Sequence, residues 1–114
     1  MRMDIERAIN NKVLILLFTH EGLEKAGITE RNFYARLVGH DQIGLWVENP
    51  KFETTSVRRE DGSLIPVEER QKEIYVANIL IPWGNIKSIV YFPNRKGFNF
   101  EEDGIVNLDR GQYL

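Results

Sequence analysis

The chain has 114 residues, 42% hydrophobic and 28% charged, with no cysteine, a net charge of −2 and a pI of about 5.7. This length supports one domain with a core that needs no staples, and the lack of cysteine excludes disulfides, thiolate zinc sites and cysteine nucleophiles. The slightly acidic balance argues against broad binding of duplex phosphates, and the longest apolar run, Val13 to Phe18, is far short of a membrane span.

Met3 to Asn10 reads as a short helix: Asp4 suits its first turn, and Ile5, Ala8 and Ile9 share one stripe at i, i+3, i+4 spacing. Acids stand here where a signal peptide would carry an apolar core, so a soluble, cytoplasmic protein is expected. Lys12 to Thr19 is a strand apolar on both faces, which implies burial on both sides. His20 to Asn32 reads as either an extended loop or a single helical turn, with Gly22 and Gly27 bracketing Leu23 to Ala26. In Phe33 to Val38 the alternation sets Phe33, Ala35 and Leu37 on one face and Tyr34, Arg36 and Val38 on the other. Gly39 to Gln42 is turn chemistry, and Ile43 to Glu48 is the returning strand, in which Gly44 marks a bend or a close approach of another backbone.

Asn49 to Glu73 is a polar excursion of mixed charge, expected to extend the sheet or to form a mobile loop, with Thr54 to Arg59 and Ser63 to Val67 as weak strands around Glu60-Asp61-Gly62. Ile74 to Ile81 and Ile86 to Phe92 are the last core strands, joined by the corner Pro82-Trp83-Gly84-Asn85. The reading is one domain over residues 1–92, with a loop insertion at 49–73, followed by an extension over 93–114 that lies across the domain or onto a neighbour.

A short helix followed by five strands with tight turns describes a mainly β, small SH3-like or Sm-like barrel. Ile5 to Leu16 resembles the Sm-type opening of a helix feeding a first strand. Tyr34 to Asp41 with Ile43 to Val47 is similar to the family's first motif, and Ile81 to Ile89 to its second. The resemblance covers most of residues 3–92, interrupted by the expansions after Thr19 and Asn49. It implies a homo-oligomeric ring closed by pairing the fourth strand of one copy with the fifth of the next, and single-stranded RNA bound near the pore. On that reading Ile74, Val76, Ile79, Ile86, Ile89 and Tyr91 are interface residues, and His40, Asp41, Trp83, Asn85 and Lys87 are the candidate RNA or ligand contacts. The chain departs from the family's RNA-binding turns: Gly44 stands where an asparagine is wanted and Trp83 where a cation is wanted.

Each candidate also has a structural reading. Asp41 suits a turn aspartate accepting backbone amides, and Trp83 suits a barrel plug whose replacement by alanine would cost roughly 3–5 kcal/mol if fully buried. Arg58 and Arg59 sit beside Glu60 and Asp61, which cancel their field. His20 and His40 lack a third metal ligand in register, and Tyr34, Trp46, Trp83 and Tyr91 need not share a face as an aromatic cage. No catalytic triad, phosphate loop or glycine fingerprint is present in the sequence. The expectation is a non-catalytic ring-forming scaffold without cofactor or metal. The competing reading is an SH3-like module that binds another protein through 49–73 or the C-terminal tail.

Overall fold

The computed structural model describes residues 4–93 and 104–108. It is mainly β, with six strands in one antiparallel sheet: β1 (Lys12–Leu17), β2 (Asn32–His40), β3 (Gly44–Thr55), β4 (Lys72–Pro82), β5 (Ile86–Val90) and β6 (Val106–Leu108). The order is β4-β3-β2-β1-β5, and β6 pairs with the first residues of β2, where β3 has not yet joined it.

Alternation in β1 and β2 builds the core. The register sets Val13 against Ala35 and Ile15 against Phe33, so these side chains share a face, and all are fully buried together with Leu37, Leu45, Val47 and Ile81. Full burial of each large aliphatic or aromatic chain contributes about 1.5–3 kcal/mol. The opposite face of β1 is covered too. Leu14 lies between Tyr34 and Val90 in the register, Leu14 and Tyr34 are buried, and the Tyr34 and Phe92 rings are 6.4 Å apart. Burial on both sides matches the unbroken apolar run of this strand.

Three expectations are corrected. The opening helix is only a four-residue 3-10 turn, Ile5–Ala8. Asp4 caps it through the Glu6 amide at 3.1 Å, but Ile9 is already extended, and Asn10 adopts a φ of 68°. The Asn11 side chain donates to the Arg7 and Ile9 carbonyls at 3.1 and 3.2 Å. Those bonds finish the turn, and a segment this short has no nucleus to carry it into an α-helix. Among the described residues the sheet has six strands, not five: Val106–Leu108, from the polar extension, pairs with Asn32–Tyr34.

The excursion also differs from expectation. The expected hairpin around Glu60-Asp61-Gly62 is reduced to an isolated Arg58–Leu64 bridge, its turn held by Asp61 accepting from the Ser63 amide and hydroxyl. The excursion does extend the sheet, which is one of its two readings: β3 runs on to Thr55 and β4 begins at Lys72, with a bulge between Asn49 and Phe52 where Pro50 has no amide to offer. Pairing of β3 with β2 ends at Glu48. From Asn49 onward, β3 and β4 therefore form a two-stranded arm about 20 Å long.

Trp83–Asn85 is a 3-10 turn that links β4 to β5, the two ends of the strand order. Only three residues join the sheet's end strands, so the sheet must curve strongly. A Cβ on Gly44 would stand 1.9 Å from the Ile81 carbonyl oxygen. That is the close backbone approach the sequence suggests.

Candidate functional site

Four of the five candidate contacts lie along one strip where the β2–β3 turn, the Trp83–Asn85 turn and the end of β1 meet. The Asp41 carboxylate accepts from the Ile43 amide (2.8 Å), the Gly44 amide (3.1 Å) and the Trp46 indole (2.9 Å). Its carbonyl accepts from the Trp83 indole at 2.8 Å, while the Trp83 amide donates to the Ile43 carbonyl at 3.0 Å. Asn85 clamps Thr19 from both sides, accepting from its amide at 3.0 Å and donating to its carbonyl at 2.9 Å. The Lys87 ammonium sits 5.4 Å from the centre of the exposed Phe18 ring. His40 turns elsewhere: its Nε2 meets Glu6 at 2.6 Å and ties the N-terminal turn to the end of β2.

Most of this polar chemistry is spent on the fold itself, at its surface. Asp41 and Asn85 hold turns together, which is the structural role that turn chemistry gives such residues. Trp83 is 39% exposed. Its removal is thus expected to cost less than the 3–5 kcal/mol of a fully buried ring. The four aromatics weighed as a cage are not assembled: Tyr34 packs near Phe92, Tyr91 against the core, and Trp46 and Trp83 bond to Asp41.

The Asp41 carboxyl is held below the ordinary carboxylate range, first by the Trp46 indole and then by the Gly44 and Ile43 amides. A depressed value in the folded state means that the stability from these bonds is present above the unfolded value of about 3.9 and fades as pH falls through the folded one. Asp41→Asn is therefore expected to melt below the wild type at about pH 7, and the gap to narrow at about pH 3. Thermal melts followed by circular dichroism check this; an unchanged gap would assign the bonds no ionic part.

The six predicted interface residues separate into two groups. Ile79, Ile86, Ile89 and Tyr91 are half-buried against the core. Ile89 and Tyr91 also line a cleft of about 260 Å³ with Asp4, Ile5 and Ala8, between the N-terminal turn and β5. Ile74 and Val76 are instead on the arm, 62% and 67% exposed, with Tyr75 between them at 52%. Three consecutive exposed apolar residues put apolar surface on both faces of the ribbon. Among the described residues, no strand pairs with the outer edge of β4. The Tyr75 hydroxyl donates to Glu73, and that carboxylate's bond and charge raise the phenol above its ordinary range.

The sequence marks Ile74 and Val76 but not the arm that isolates them. That depends on β3 extending seven residues past its last pairing with β2. Among the described residues, no group of three His, Asp or Glu side chains is placed to hold a metal ion, and no helix is long and apolar enough to cross a membrane. Compared with family models, curated proteins and solved structures, the chain matches none.

Proposed function

We propose that this chain is a non-catalytic assembly module, a small barrel of Sm-like type that binds a protein strand along the unpaired edge of β4. The observation that carries this reading is Ile74-Tyr75-Val76, exposed on an edge whose backbone groups have no neighbouring strand among the described residues. Such an edge is a template for strand addition, with main-chain bonds supplying affinity and alternate side chains supplying selectivity. Support for the barrel comes from the strand order and from the three-residue link between its end strands.

Single-stranded RNA at the corner has less support. Asp41 and Asn85 use their polar groups on the fold itself, which leaves Trp83 as a stacking ring and Lys87 as a cation. Light scattering over micromolar concentrations tests assembly: a mass of two or more copies is expected for the wild type. Val76→Asp, which places an unpaired charge at the contact, is expected to weaken association by about tenfold or more. A wild type that stays monomeric throughout would overturn this reading. Labelled uridine-rich and adenine-rich oligomers at low salt are expected to bind no more tightly than to an unrelated acidic protein.

A further inference from the structure

We infer that the occupant of the β4 edge is β4 of a second copy, paired antiparallel across a two-fold axis that passes through Tyr75. This rests on the assembly reading above and adds to it a partner, a direction and a register.

The β4 edge lacks the usual protection. Sheets protect exposed edges with charge, proline or a bulge on the edge strand. Here the bulge belongs to β3, on the inner side, and leaves β4 regular from Lys72 to Ala77. From Ile74 to Ile81 no charged residue and no proline interrupts β4. A two-stranded ribbon with apolar side chains on both faces is also a marginal structure on its own, and a third strand relieves that.

Register also favours a second copy. Opposed residues in an antiparallel pair both point their backbone groups inward or both outward, so a strand meeting its own copy can centre on a residue but not between two. Centred on Ile74, the pairing sets Lys72 against Val76 and Glu73 against Tyr75. Centred on Val76, it sets Ile74 against Asn78 and both charges against Leu80 and Ile79. Centred on Tyr75, Ile74 meets Val76 twice on one face and Tyr75 meets itself on the other. Lys72 then opposes Asn78 and Glu73 opposes Ala77, so no like charges face each other and no charge faces a large apolar chain. Only this register makes all three exposed side chains self-complementary.

Such a contact is isologous and closes at two copies, whereas a β4-to-β5 contact is heterologous and builds a ring or a filament. Because the chain has no cysteine, single cysteines report the register cleanly. Under mild oxidation, Tyr75→Cys is expected to form a covalent dimer, since opposed residues bring Cβ atoms close to disulfide distance. Ile74→Cys alone faces Val76 of the second copy and is expected to cross-link several-fold less. Ile74→Cys mixed with Val76→Cys, which keeps Tyr75 intact, is expected to form the mixed dimer efficiently.

A wild type of two-copy mass with this cross-linking pattern supports the inference. A multi-copy wild type in which neither Tyr75→Cys nor the mixed pair cross-links overturns the two-fold register and leaves the assembly reading standing. A monomeric wild type overturns both.

Discussion

Gly44→Ala is expected to be the most damaging small substitution in this protein, destabilising it by about 3 kcal/mol or more and leaving little folded material. Gly44 opens β3 and pairs with Pro82 at the end of β4. An added Cβ would meet the Ile81 carbonyl oxygen at 1.9 Å, the Ile81 carbonyl carbon at 2.7 Å and Pro82 Cα at 2.8 Å. All three are backbone atoms, which cannot swing aside as a side chain can. Ile81 is itself fully buried in the core, and Pro82 leads into the turn that joins the ends of the sheet. Separating the strands to admit a methyl group would therefore also lose Ile81 packing and the Trp83–Ile43 bond. Urea melts of the variant, set beside Gly39→Ala and Gly84→Ala, make the comparison. Added Cβ atoms at those two glycines meet nothing within 4 Å, and their effects should stay within about 0.5 kcal/mol. Equal effects at all three positions would mean that the close approach does not govern stability.

Phe33→Ala should cost about 3–5 kcal/mol, a large share of the 5–15 kcal/mol typical of a folded domain. Phe33 is fully buried and sits opposite Ile15 in β1 and Asn107 in β6. Its ring thus fills the place where three strands meet. Asn107 locks β6 there, accepting from the Thr29 amide at 2.9 Å and donating to the Gly27 carbonyl at 2.9 Å. Emptying the Phe33 site removes the packing beneath that contact as well as the ring. Denaturant midpoints with an unchanged slope would report the loss as stability alone. Phe33→Leu, which keeps much of the volume, should cost less than about 1.5 kcal/mol. A Phe33→Ala variant as stable as Phe33→Leu would show that the site collapses rather than holding a cavity.

What the candidate site adds is mostly a division of labour. Asp41, Trp83 and Asn85 stand out in the sequence because turn aspartates, corner tryptophans and turn asparagines resemble binding residues. The folded chain uses them to fasten the β2–β3 turn to the corner and the corner to β1. Phe18, Ile43 and Trp83 are exposed at that corner, but the run of three consecutive exposed apolar residues sits elsewhere, on the arm, where Ile74 and Val76 stand out in the sequence as interface candidates without any sign of the arm that isolates them.

Several features follow from the sequence by itself. Alternation sets Phe33, Ala35 and Leu37 on one face, because the two-residue period of a strand is local and needs no partner to define it, and the unbroken apolar run of β1 signals burial on both of its sides. The corner at Pro82 to Asn85 and the tight place at Gly44 are legible for the same reason, since proline and glycine act on the backbone where they stand. Tertiary structure alone decided three other matters. Ile28, in a polar loop, became fully buried because the fold brings it into the core cluster with Leu23 packed alongside. Val106–Leu108 became a strand because β2 has an edge for it where β3 has not yet joined, which three residues in a polar tail cannot announce. And β4 became half core strand and half exposed arm because β2 stops pairing with β3 at Glu48, so whether an isoleucine was buried depended on a neighbouring strand's length rather than on its own sequence.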